Sequence, residues 1–166
     1  MTTVCVGEEW LVDATEVCYR KEDFAVNTRP RRSCCRQTFM IDCLGLSTYD
    51  DGTVREIIGL FPDPQRVDHT RLSVPESFKA RLGVINSAKD ADGLEKSLPV
   101  DLCDLHTFAS DHETHWCVVN AAPIRPESVV IEFLPGALAV IERKAIVSLW
   151  FNLPPCTAPN APVDVK

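Results

Sequence analysis

ESVVIEFLPGALAVIERKAIVSLWFNL, residues 127–153, is the stretch that decides how this chain is built. Its runs of Val, Ile, Leu, Phe and Trp are cut at Pro135-Gly136 and again at Arg143-Lys144. Short β-forming runs bounded by turn residues read as strands, and two cuts make three of them, so the segment predicts an antiparallel meander. The runs are apolar at successive positions rather than at every second one. That pattern belongs to central strands covered on both faces, by a helix or a second sheet.

Working towards the N-terminus, HWCVV at 115–119 is apolar enough for a buried strand, and PVDLCDLHTF at 99–108 fits one or two helical turns. VPESFKARLGVI at 74–85 has Pro75 at a plausible first turn, Phe78, Leu82 and Ile85 at spacings of four and three, and Gly83 near its end, which predicts a helix over 75–82. NSAKDADGLEKS at 86–97 reads as an exposed loop or a frayed helix. In QTFMIDCLGLSTYDDGTVREIIGLF, Asp51-Gly52 supplies the positive-φ positions of a tight hairpin between strands near 38–48 and 53–61, and Pro62 and Pro64 end the second run. TVCVGEEWLV and ATEVCYR, at 3–12 and 14–20, read as two further strands. The expected fold is α+β: a mainly antiparallel sheet with one or two short helices, in a single domain over 1–153. A proline-rich tail, PPCTAPNAPVDVK, follows over 154–166.

With 166 residues, 45% hydrophobic and 25% charged, the chain is long enough for a substantial core and is not of disordered composition. The formal charge of -7 argues against broad binding to nucleic acid or to an anionic membrane surface. The opening MTTVCVGEEW has acidic residues where an export signal would have basic ones, and no window is apolar enough for a membrane span, so a soluble, cytoplasmic protein is expected. All eight cysteines are then expected to be reduced.

DLCDLHTFASDHETHWC, residues 101–117, concentrates three of the four histidines and two of the eight cysteines, inside a gap from 97 to 124 without Lys or Arg. Cys103, His106, His112, His115 and Cys117 are candidate ligands for zinc, with Asp101, Asp104, Asp111 and Glu113 as further ligands or as partners that orient imidazoles. Paired C-x2-C knuckles are absent. His112 and His115 share a side only on a helix.

THWCVVN, residues 114–120, resembles the strand that carries the general-base histidine in papain-like cysteine peptidases and related thiol hydrolases. The resemblance implies an attacking cysteine, a histidine that takes and returns its proton, and a polar group that holds the imidazole. By role these fall on Cys34 or Cys35, on His115, and on Glu132 or Asn120, with Glu132 preferred because it lies on the following predicted strand. Arg29, Arg31, Arg32 and Arg36 surround the adjacent thiols, favour thiolate, and offer forked donors to an acidic partner. Three functions therefore compete: a non-catalytic binding or accessory protein with an unidentified protein or small-molecule partner, a thiol hydrolase acting on an amide or ester, and a zinc-binding protein.

Overall fold

A computed structural model describes residues 2–7, 16–20, 25–29, 37–41, 44–60, 68–69, 71–86, 96–97, 108–111, 114–120 and 123–153. Within them the strands are β1 (Thr2–Gly7), β2 (Glu16–Arg20), β3 (Ala25–Arg29), β4 (Gln37–Ile41), β5 (Leu44–Thr48), β6 (Val54–Leu60), β7 (Asp68–His69) and β8 (Phe78–Lys79). They continue with β9 (Arg81–Asn86), β10 (Lys96–Ser97), β11 (Phe108–Asp111), β12 (Trp116–Val119), β13 (Val129–Leu134), β14 (Ala137–Glu142) and β15 (Ala145–Asn152).

The described residues contain no helix, so the fold is all-β here and the α+β expectation is overturned. The expected helix over 75–82 is instead extended chain leading through β8 into β9. Ala80, Leu82 and Val84 are buried at every second position, while Phe78 and Lys79 are exposed. That is the period of a strand with one face on the core, and it outweighs the helix-like spacing of Phe78, Leu82 and Ile85. The second possible helix, at 99–108, lies almost wholly outside the described residues. The run expected as one strand over 38–48 is two, β4 and β5, paired antiparallel from Gln37↔Thr48 to Ile41↔Leu44.

Three sheets result. A six-stranded sheet has the order β10-β4-β5-β6-β3-β2, a seven-stranded sheet has the order β7-β11-β12-β15-β14-β13-β8, and β1 pairs with β9. Residues 127–153 form the expected meander: β13, β14 and β15 pair antiparallel in sequence, turning at Pro135-Gly136 and Arg143-Lys144. One hydrophobic core gathers Val17 and Val26 from the six-stranded sheet, Val4 and Leu82 from the pair, and Ile131, Ala139, Leu149 and Phe151 from the seven-stranded sheet. A second cluster, Val118, Val130, Leu138, Val140 and Trp150, lies on the other face of the seven-stranded sheet. Its central strands are therefore buried on both sides, which is why they are apolar at successive positions.

The β5–β6 hairpin docks on β9. Tyr49 N–H donates to Thr53 C=O at 3.1 Å, Gly52 N–H donates to Tyr49 C=O at 2.9 Å, and Val84 N–H donates to Gly52 C=O at 2.8 Å. Thr53 N–H also donates to Asp51 Oδ1 at 2.9 Å. That bond, helped by the charges of Arg81 and Arg55, holds the Asp51 carboxyl below the usual aspartate value against a smaller opposing effect of burial. Between β3 and β6, the buried Thr28 hydroxyl accepts from Ile57 N–H at 2.6 Å and donates to Ile57 C=O at 3.0 Å. A side chain thereby completes the ladder, leaving no orphaned backbone group at that position.

Candidate binding face of the seven-stranded sheet

Cys34, Cys35, Cys103, His106 and His112 lie outside the described residues. The three remaining sequence candidates, His115, Cys117 and Glu132, are all on or beside the seven-stranded sheet. His115 is exposed in the turn between β11 and β12 with φ 59°, and its carbonyl accepts Leu153 N–H at 2.9 Å. Cys117 is 3% exposed and its side chain belongs to the main core. Glu132 is half-buried, and its Oε1 accepts Gly136 N–H at 3.1 Å, bracing the turn from β13 to β14.

The register separates these residues. Glu132 lies opposite Leu138, Leu138 opposite Trp150, and Trp150 opposite Val118. Three strand spacings of about 4.8 Å put the Glu132 backbone roughly 14 Å from that of Val118, and His115 lies three residues further along the chain. The described structure does not bring Glu132 to the imidazole. Asn120, the other candidate orienting group, donates from Nδ2 to Val147 C=O at 2.8 Å and so fixes the end of β12. No group of three or more His, Cys, Asp and Glu side chains is placed to hold a metal ion among the described residues.

Burial pushes the Cys117 thiol up from its ordinary value of 9.0 to about 12. A thiol held protonated is a poor nucleophile, and the Cys117 side chain packs in the main core. Between pH 9.0 and about 12 the unfolded chain releases a proton that native Cys117 keeps. Unfolding therefore becomes progressively easier as pH rises through this window. Urea titrations from pH 8.5 to 10.5 are expected to show that loss, and Cys117→Ala is expected to flatten the slope; an unchanged slope would refute the assignment.

What the sheet does assemble is the apolar face opposite the core. Val118, Trp150 and Leu138 form one row across β12, β15 and β14, ending at the Glu132 position on β13. Trp116 and Val147 are partly buried beside them. Trp150 is 6% exposed, and its indole N–H has no hydrogen-bond partner among the described residues. A buried donor left unpaired costs about 1–3 kcal/mol, so an acceptor brought to it has a favourable contact to make.

A single segment, residues 71–77, lies over this face among the described residues. Arg71 and Ser73 are exposed, whereas Leu72 and Val74 are half-buried and pack against the cluster. Leu72 N–H donates to Asp111 Oδ2 at 3.2 Å, and Asp111 is buried on β11. Asp111 had stood in the sequence only as an accessory ligand. Trp150 and the 71–77 segment carry no motif in the sequence, which shows only an alternating apolar pair and a tryptophan in an apolar run.

No helix among the described residues is long and apolar enough to cross a membrane. No family model matches the chain, and no curated protein matches it.

Proposed function

We propose that this protein works by binding another polypeptide, without chemistry of its own, at the outer edge of the seven-stranded sheet where β8 lies. The observation that carries this reading is Phe78, 55% exposed on a two-residue edge strand. Phe78 pairs with Ile131, so Val129, two residues away on β13 and also exposed, lies on the same face of the sheet. An exposed aromatic ring with an apolar neighbour at a sheet edge offers a side-chain anchor to an extended segment. Large exposed apolar side chains gathered at one edge are the usual mark of such a contact. Charge agrees with the choice of partner, since a chain of net charge -7 has little to offer a nucleic acid. Of the Arg29, Arg31, Arg32 and Arg36 cluster expected to meet an acidic partner, Arg29 ends β3 and the other three lie outside the described residues.

A library of displayed extended peptides, selected on the wild-type protein and screened again on Phe78→Asp, tests the reading. Peptides with alternating apolar residues are expected to be enriched and to bind Phe78→Asp at least about tenfold more weakly, the loss of roughly one aromatic anchor. Equal binding to both proteins, with the variant's melting temperature unchanged, would overturn the edge assignment.

A further inference from the structure

The segment 71–77 connects the two edges of one sheet. β7 is the outermost strand on one side and β8 the outermost on the other, with five strands between them. Six spacings of about 4.8 Å make roughly 29 Å, and nine residue steps from His69 to Phe78 at about 3.3 Å cover roughly 30 Å. The chain must run nearly extended across the face, and over residues 71–74 exposed Arg71 and Ser73 alternate with half-buried Leu72 and Val74. Its anchors among the described residues are slight: a two-residue parallel pairing at each end, one hydrogen bond to Asp111, and the half-buried Leu72, Val74 and Pro75. The strands beneath it, β12, β14 and β15, are laddered on both sides and buried on both faces.

We propose that residues 71–77 form a displaceable strap: it opens as a unit before the sheet unfolds, and an extended peptide with apolar residues at alternate positions and an acceptor for the Trp150 indole N–H takes its place. The strap itself shows what fits. Its alternate side chains, Leu72 and Val74, reach the Val118–Trp150–Leu138 row, and it leaves the Trp150 donor unmet, so an incoming segment that meets this donor makes a contact the strap does not. Regions with few buried contacts open locally at lower free energy than the global transition, and binding-competent elements come from that end of the range. The strap is then a built-in competitor, and its opening reduces the apparent affinity for any peptide by the fraction of time it is closed. The strap runs into β8, so the two surfaces adjoin, but the strap proposal rests on Leu72, Val74 and Trp150 and the edge reading on Phe78 and Val129.

Native-state hydrogen exchange of the full chain is the first test. The Leu72 amide, bonded to Asp111, is expected to show protection at least about a hundredfold below the amides of β12, β14 and β15, an opening distinct from global unfolding. Exchange of the strap only through global unfolding would overturn the proposal. The second test adds a synthetic peptide of residues 68–79, DHTRLSVPESFK, to wild type and to the Leu72→Ser, Val74→Ser double variant. Binding is expected to be at least about tenfold tighter to the variant, and Trp150→Phe should remove the accompanying fluorescence change. Equal binding to both proteins, or binding to neither, would overturn it. The exchange measurement on wild type stands even if the variant fails to fold. Phe78→Asp, which tests the edge, leaves the 72 and 74 positions intact and so distinguishes failure of the two readings.

Discussion

Phe151→Ala is expected to destabilise the protein by about 4 kcal/mol, at the upper part of the range for removing a buried aromatic ring. Phe151 is 0% exposed and sits on β15, between β12 and β14. Its partners across the sheet are Cys117 on one side and Ala137 on the other, both small and both contributing to the same core. Small flanking residues cannot swing into the space a deleted ring leaves, so the cavity stays open and the loss stays large. Phe151→Leu retains most of the volume and should cost roughly 1–1.5 kcal/mol. Urea denaturation of the two variants checks the pair of values. A loss below about 1 kcal/mol for Phe151→Ala would show that the core collapses around the gap.

Gly52→Val is expected to cost about 3 kcal/mol or more, for two reasons that act together. Gly52 has φ 79°, in the left-handed region that a β-branched residue avoids. A Cβ at this position would also press on the carbonyl oxygen of Val84, the residue whose N–H donates to Gly52 C=O. The obstacle is backbone, so no rotamer change relieves it. The variant must pull the β5–β6 hairpin away from β9, and melting should fall even though no buried side chain has been removed. Thermal unfolding beside a control, Glu127→Ala at an exposed turn position, isolates the effect. Equal stability of the two variants would show that the hairpin tip is free to move.

Where a turn is written in the residues that make it, the sequence was readable. Pro135-Gly136, Arg143-Lys144 and Asp51-Gly52 each sit where the chain reverses, and the strands on either side follow from their β-forming side chains. Residues 74–85 misled because two periods coexist in them. Phe78, Leu82 and Ile85 fit a helix, Ala80, Leu82 and Val84 fit a strand, and only the partners in β1 and β13 decide between them. Of the cysteines and histidines in the Cys/His stretch, only the C-terminal pair, His115 and Cys117, falls among the described residues. Closeness in sequence becomes closeness in space only where the backbone folds back suitably, and β12 instead directs Cys117 into the core while the preceding turn leaves His115 in solvent. Glu132 was legible as a residue on the next predicted strand, but not its distance, because β15 inserts between β12 and β14 and pushes β13 to the far side of the meander. The apolar face under residues 71–77 was invisible because no local pattern reveals that β7 and β8, neighbours along the chain, end at opposite edges of one sheet.

The pairing of β1 with β9, from Thr2↔Asn86 to Gly7↔Arg81, carries a consequence for how the chain assembles in time. The meander of β13 to β15 needs only short-range encounters, whereas β1 must find a partner roughly eighty residues away, at a loop-closure cost that grows slowly with length but is met before any contact rewards it. During synthesis β1 leaves the ribosome long before β9 exists, and Val4 waits without the neighbours that later cover it. Docking of β1 is accordingly a late event in refolding. The slowest amides to gain protection should be those of residues 2–7, and a chaperone that shields an exposed N-terminal strand would shorten the interval in which it can pair with the wrong chain.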